Sequence, residues 1–306
     1  MNYKIKYPKI SVVIPSYNRA IDLRRCLDSL LNQSFKDFEV LVCDDGSTDD
    51  SAAVVAQYSN KLDISFETAE NFGGPARPRN RGIKIARAPY IAFLDSDDWW
   101  MPDKLLHSYI ALEGGADVVF HDLFIVRTSG QQRFTEKIKS TDVQSPVFES
   151  LLCDGVSIPN SSVVTRTDLL LKIEGVSEER DLISVEDYDT WIRLACITEK
   201  FIRLPICLGY YWVGGGNISA ASAKQQMLVQ ALYARHLERL PLPRQVQANG
   251  FLCYRIARIA QQHGDHATAI KNYKKALLRQ IPITYRIKAI YFCLKSIFKS
   301  RKCQSV

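Results

Sequence analysis

No stretch of this 306-residue sequence approaches the ~18 consecutive apolar residues that a membrane-spanning helix needs. The lysines of Met1-Asn2-Tyr3-Lys4-Ile5-Lys6 are followed by no long apolar segment, so a secretory leader is not expected. Eight cysteines are present, but none forms a Cys-x-x-Cys pair. Cys26, Cys43, Cys153 and Cys196 sit inside apolar periodic segments, which suits reduced, buried thiols better than a disulfide framework or a zinc site. Histidine is scarce: His107, His121, His236, His263 and His266 are the whole set, and none pairs with Ser or Cys in a hydrolase-like pattern. His121-Asp122 could stand near a ligand, but a structural histidine is the simpler reading. There is no glycine-rich NTP loop near the N-terminus, which disfavours a nucleotidyltransferase.

Acid is the other absence. From Arg244 to Val306 there are thirteen Lys/Arg and one acid, Asp265. The net charge of +7 therefore divides into +12 for this tail and −5 for the rest. Such a tail suits an anionic partner. No aromatic residues are interleaved with the charges as a stacking platform, so nucleic acid is not expected.

What is present is a repeated strand-and-helix pattern. Ile10-Ser11-Val12-Val13-Ile14 reads as a buried strand ended by Pro15. Leu23, Leu27, Leu30 and Leu31 recur at helical spacing. Glu39 to Cys43 is a second strand, Ser51 to Tyr58 a helix, and Asp63 to Phe66 a third strand. A helix is predicted from about Arg79 to Ala86, a fourth strand over Tyr90 to Leu94, and further strands at 117–120 and 124–126. Pro102 suits the first turn of the helix that follows. This alternation predicts an α/β fold with a parallel or mixed sheet covered on both faces. Ligands in such sheets bind outside the carboxyl ends of the strands. Three polar clusters fall there: Pro15-Ser16-Tyr17-Asn18, Asp44-Asp45 and Asp95-Ser96-Asp97. Beyond Leu208 to Trp212, a further strand, the chain becomes helical from Ser222. A helix–turn–helix spans Asn249 to Gln280. The expected division is 1–215 for the α/β domain and 216–306 for a basic helical region.

Asp95, Asp97 and Asp98 offer oxygen ligands suited to Mn²⁺ or Mg²⁺. If the segment is extended, Asp95 and Asp97 share a side. Trp99 and Trp100 behind them could floor a sugar site, or simply pack in the core. Asp44 and Asp45 could read a base edge, or serve as turn and cap residues. Arg79, in a Gly- and Arg-rich stretch, can fork onto diphosphate oxygens; Arg77 and Arg81 read as solvated. Glu186, Asp187 and Asp189 open a helix, where acids stabilise the positive end. They exceed what one cap requires, which makes Asp187 a candidate general base.

Together these segments resemble the inverting glycosyltransferases of family 2, which have the GT-A fold. The resemblance is carried in order by Ser11-Val12-Val13-Ile14-Pro15-Ser16-Tyr17-Asn18-Arg19, Asp44-Asp45-Gly46-Ser47-Thr48-Asp49, Arg79-Asn80-Arg81-Gly82, Asp95-Ser96-Asp97-Asp98-Trp99-Trp100-Met101-Pro102-Asp103-Lys104-Leu105 and Glu186-Asp187-Tyr188-Asp189. It covers about residues 9–215. It implies that Pro15, Tyr17 and Asp45 line a nucleoside site, with Arg79 near the base or diphosphate. Asp95 would approach the ribose or donor sugar, Asp97 would ligate the metal, Asp98 would support the loop and Asp187 would be the base. Trp99, Trp100 and Glu186 are candidates for the acceptor or sugar site. The implied reaction moves one sugar from a nucleotide-sugar donor, UDP-linked, to a glycan or lipid-linked saccharide.

Two departures stand out. Glu174-Gly175-Val176-Ser177-Glu178-Glu179 replaces a Gly-Gly-Phe-Asp-Glu segment, and Trp212-Val213-Gly214-Gly215-Gly216-Asn217 lacks a later histidine of many relatives. The Gln-x-x-Arg-Trp pattern of processive synthases is absent. A non-catalytic nucleotide-sugar scaffold is the alternative, disfavoured by intact Asp97 and Asp187. In the tail, Ile283, Ile287, Ile290, Leu294 and Ile297 share a helical face and Lys288, Lys295, Lys299 and Lys302 another. Two readings stay open: a helix packed on the catalytic domain, or one lying on an anionic membrane. The expected location is cytoplasmic, in the second case at the inner face of the cell membrane.

Overall fold

In the computed structural model, residues 7–215 and 221–304 are described, with side chains to residue 300. Gly216, Asn217, the first six residues and the side chain of Lys302 lie outside them. The chain groups into two units. The first comprises Met1–Val143, Ser157–Glu178 and Arg193–Gly216; the second comprises Gln144–Val156, Glu179–Ile192 and Asn217–Val306. Two segments before residue 215, Gln144–Val156 and Glu179–Ile192, group with the C-terminal helices.

The first unit is built on β1 (Ile10–Ser16), β2 (Phe38–Asp44), β3 (Ile64–Thr68), β4 (Tyr90–Phe93), β5 (Trp99–Trp100), β6 (Val118–Val126), β7 (Lys137–Ile138), β8 (Val164–Arg166) and β9 (Phe201–Trp212). They form one mixed sheet in the order β3-β2-β1-β4-β8-β6-β9-β5, with β7 beside β6. β3, β2, β1 and β4 run parallel. β8 is antiparallel to both β4 and β6. Every residue of β1 and β2 is buried, as expected for parallel strands covered on both faces. That is why these segments read as unbroken apolar runs rather than alternating ones.

Helices α1 (Ala20–Leu31), α2 (Ser51–Ala56), α3 (Ala76–Ile85), α4 (Lys104–Glu113) and α6 (Thr167–Lys172) also belong to this unit. α1 buries Leu23, Cys26, Leu27 and Leu30, an i, i+3, i+4, i+7 stripe. It joins the core with Val12, Ile14, Val40 and Val42. α3 approaches β1 at Gly82, where an added Cβ would lie 2.5 Å from Val13 Cγ1. Pro102 precedes α4, whose N-cap is Asp103. The two strands expected at 117–120 and 124–126 are one strand, β6. Its pairing with β9 is irregular around His121 and Asp122, which breaks the alternation along the sequence. The three-residue β8 was not anticipated.

The second unit holds α5 (Val147–Cys153), the first seven residues of α7 (Glu186–Leu194), α8 (Ala223–His236), α9 (Leu242–His263), α10 (His266–Leu277) and α11 (Ile283–Gln304). α9 ends at Gly264, whose φ of +91° suits glycine. Asp265 then caps α10 by accepting from the Thr268 N–H.

Candidate donor-binding site

The carboxyl ends of β1, β2 and β4 carry Tyr17, Asp45, Asp95 and Asp97, and α3 adds Arg79, all in the first unit. The two acids after β2 have separate tasks. Asp44 Oδ2 accepts from the Gly46 and Ser47 N–H groups at 3.0 and 2.7 Å and from Thr68 Oγ1 at 3.1 Å. It builds the turn. Gly46 has a φ of +81°, and an added Cβ there would lie 3.1 Å from the Ala69 carbonyl. Asp45 is also buried, but only its Oδ2 is used, accepting from the Phe72 and Gly73 N–H groups at 3.1 Å each. Its Oδ1 is buried with no partner in the protein. A buried acceptor left in this state is costly. A ligand N–H would satisfy it.

The loop after β1 is fastened to the same turn. Asn18, with a φ of 51°, donates its backbone N–H to Ser47 Oγ at 2.8 Å and accepts the Thr48 N–H at 2.8 Å. Tyr17 beside it is 48% exposed, so its ring is open to a ligand, whereas Pro15 is held inside β1.

Arg79 projects from α3 and donates to Asp95 Oδ1 at 2.7 Å, with its side chain only 5% exposed. Asn160 Nδ2 donates to the same oxygen at 2.9 Å. Asp95 thus sits in a donor-rich frame, still partly open. Arg81 is not solvated as expected: it donates to the Asp44 carbonyl, because α3 turns it inward beside β2. Arg77 is exposed, paired with Glu178 at 3.2 Å and stacked over Phe72.

The acidic segment is not extended. The Asp98 N–H donates to the Asp95 carbonyl at 3.0 Å, closing a turn, so strand alternation does not set where Asp95 and Asp97 point. Asp98 is buried and accepts from Ser161 Oγ at 2.5 Å and the Trp212 N–H at 2.9 Å. It holds the loop. Burial and the neighbouring Asp97 and Asp95 push its carboxyl well above the usual range. Asp97 is pushed up to about 6 by burial and by Asp95, with Arg19, 3.8 Å away, opposing.

Among the described residues there is no group of three or more His, Cys, Asp or Glu arranged to hold a metal ion. The residues nonetheless fit a hard cation that keeps waters and takes ligand oxygens. Two neighbouring carboxylates, one of them disfavoured in its charged form, gain from an added positive charge.

Trp99 and Trp100 part company. Trp100 is 3% exposed, donates its Nε1–H to the Ser161 carbonyl at 2.7 Å and belongs to the core. Its packing role is thus the one its contacts show. Trp99 is half-buried, stacks on Tyr210 and carries the Arg25 guanidinium 4.1 Å above its ring. Arg25 also donates to the Asp97 carbonyl at 2.7 Å. Arg25, Asp28, Ser29, Asn32, Trp99, Trp100 and Pro102 border a shallow cavity of about 440 Å³.

Ser161, Asn160, Arg19 and Arg25 were not singled out from the sequence. Ser161 alone bonds Asp98, the Asp95 N–H and Trp100. Its only sequence signal is the polar triplet Asn160-Ser161-Ser162 after Pro159. His121 is fully buried in β6, as a structural histidine would be.

Glu186 and Asp187 lie in the second unit. Glu186 is buried, and its Oε2 accepts the Ser184 N–H at 2.5 Å, a capping role at the start of α7. Asp187 is partly exposed, with Oδ1 accepting the Tyr188 N–H at 2.6 Å. Asp189 is fully buried and meets His236 Nε2 at 2.7 Å.

A mixed sheet covered by helices, with acidic turns after β2 and β4, is a GT-A type fold. Residues 11–152 match the model for glycosyl transferase family 2, and the chain carries a family 2 glycosyltransferase domain. A poly(ribitol-phosphate) beta-glucosyltransferase of Bacillus spizizenii is 39% identical over 140 residues, which are 44% of this chain and 22% of that protein. The chain thus spans under a quarter of that relative's length. The Escherichia coli UDP-Glc:alpha-D-GlcNAc-diphosphoundecaprenol beta-1,3-glucosyltransferase WfaP is 28% identical over 71% of this chain and 82% of its own. Among solved structures, residues 1–349 of Staphylococcus aureus TarS in complex with UDP-GlcNAc align with a TM-score of 0.58 at 23% identity, covering 88% of this chain and 90% of that one. That likeness is one of fold.

Proposed function

We propose that this chain transfers a single sugar from a UDP-linked donor to an acceptor hydroxyl, with inversion and with help from Mn²⁺ or Mg²⁺, in cell-surface glycan assembly. The observation that carries this reading is Asp45. Its buried, unpartnered Oδ1 suits the imide N–H of a uracil; Asp95 and Asp97 follow the neighbouring strand β4, and Arg79 of α3 pairs with Asp95. The names of the two curated relatives, a beta-glucosyltransferase and a UDP-Glc-dependent enzyme acting on a diphosphoundecaprenol-linked sugar, support it. By that analogy the acceptor is a glycan or a lipid-linked saccharide, met at the inner face of a cell membrane.

In this reading Tyr17 packs on the nucleoside, and Arg79 steadies Asp95 for the ribose or donor sugar. Asp97, with Asp95, would hold the cation. A bound divalent cation would offset charge on the departing diphosphate. Asp187 takes the acceptor hydroxyl's proton as that oxygen forms its bond to the anomeric carbon. The bond from that carbon to the β-phosphate oxygen breaks, and UDP leaves with its electron pair.

The test is UDP release from a panel of UDP-sugars with Mn²⁺ and an acceptor mixture from bacterial envelopes. Asp187→Asn should still bind donor yet lose roughly 10²–10⁴-fold in rate, the usual worth of a general base. Full turnover in that variant would remove Asp187 from the chemistry.

A further inference from the structure

α11 carries its apolar residues on the outside. Ile283, Ile287, Ile290, Tyr291, Leu294 and Phe298 are each at least half exposed, from 50% at Ile290 to 70% at Phe298. At helical spacing they form one stripe about 100° wide. The opposite side makes the packing contacts. Ala289, Cys293 and Ser296 are buried there. Gln261 of α9 donates to Ser296 Oγ at 2.7 Å and to the Phe292 carbonyl at 2.8 Å. Arg258 lies 3.7 Å over the Phe292 ring. The helix is therefore already seated within its unit, and its main apolar stripe takes no part in that seating.

The stripe is bordered by cations. Lys288, Lys295 and Lys299 run along one side and Arg286 along the other, all exposed. No acid follows Asp265 in the chain. An outward apolar stripe edged by a lysine row on one side and Arg286 on the other suits a surface that is apolar beneath and negative on top. Two copies pairing stripe to stripe would bring lysine rows of like sign together, which opposes self-association. None of the described helices is long and apolar enough to cross a membrane, so a surface mode is the one that fits.

We propose that α11 binds the surface of an anionic lipid bilayer, lying in its plane with Ile287, Leu294 and Phe298 inserted and the flanking lysines at the headgroups. The proposal rests on the transferase reading only in that a membrane-borne acceptor gives the attachment a use.

Flotation of the full chain with vesicles tests it without any sugar transfer. Vesicles of phosphatidylcholine alone are compared with vesicles containing phosphatidylglycerol. Each basic residue near an anionic surface contributes about fivefold. Binding to the anionic vesicles should exceed binding to the neutral ones by more than tenfold and fall in high salt. Ile287→Ser with Leu294→Ser should abolish flotation. Lys295→Glu with Lys299→Glu should cut it at least tenfold. Both pairs are exposed, and unchanged melting curves and UDP binding would show that fold and donor site survive. Absence of binding to anionic vesicles, or equal binding to both kinds, overturns the proposal. So does a stripe variant that turns a dimer into a monomer by light scattering, since the stripe would then face a second copy.

Discussion

His121 should lower stability as pH falls from 6.5 to 5, against Asp97 and Asp98, whose raised carboxyls work in the opposite sense there. It is fully buried in β6, with Nδ1 donating to the Asp122 carbonyl at 2.8 Å and Nε2 buried without a partner. Burial, with Lys104 adding to it, holds its pKa down at about 3, against an ordinary 6.5. The folded pKa is depressed, so the native imidazole stays neutral while the unfolded one protonates as pH falls through 6.5. In that window the unfolded state holds one more proton at this residue, whose contribution to stability falls by about 1.4 kcal/mol per pH unit. Between pH 6.5 and 5, above the range where most carboxylates titrate, the loss from this residue reaches about 2 kcal/mol. Urea unfolding at pH 7 and pH 5 measures it. His121→Gln, which keeps an N–H donor but cannot protonate, should lose about 2 kcal/mol less than the parent over the same interval. If both proteins lose the same amount, His121 is not the buried neutral group described here.

Other outcomes follow from single contacts. Lys104 is fully buried, its Nζ has no hydrogen-bond partner and lies 3.6 Å from the Trp100 ring, and burial lowers its pKa well below the ordinary value. Lys104→Met should raise the unfolding free energy by about 1–3 kcal/mol, the usual cost of an unsatisfied buried polar group, measured by urea denaturation. Gly82→Ala should destabilise by about 1–3 kcal/mol through overpacking against Val13; Val13→Ala in the same chain should recover part of the loss, which a double-mutant cycle reads. Asp45→Asn places an amide where a carboxylate would accept from a base, and UDP binding by calorimetry should weaken about 10–100-fold, the worth of a hydrogen bond to a charged group.

Much of this architecture could be read from the chain, for a physical reason. β1 and β2 are buried on both faces, so their sequences are uninterrupted apolar runs, and their ends are marked by the polar residues that must leave the sheet. Asp45, Asp95 and Asp97 follow from that punctuation. Asp98 as a loop support is a local inference that its contacts with Ser161 and the Trp212 N–H match. Long-range partners were not legible. Ser161 meets residues more than sixty positions earlier, and a serine in a polar triplet looks like any loop serine. Arg81 and Lys104 carry charges that ordinarily mark a solvated face, and only the packing of α3 and α4 turns them inward. The grouping of Gln144–Val156 with the C-terminal helices is likewise a tertiary outcome. In α11 the amphipathic pattern was plain, but which side faced the protein was not. The small residues Ala289, Cys293 and Ser296 take the inner side and leave the isoleucines outside.

The central claim is that Asp45, Arg79, Asp95 and Asp97 form one site for a nucleoside diphosphate and a divalent cation. Calorimetric titration of UDP into the parent protein and Asp97→Ala, each with Mn²⁺ and with EDTA, tests it most directly. UDP should bind the parent more tightly with Mn²⁺ than without, and the variant should fold normally yet lose that gain. Equal UDP affinity in the parent with and without metal, or a gain that survives in Asp97→Ala, would contradict the account.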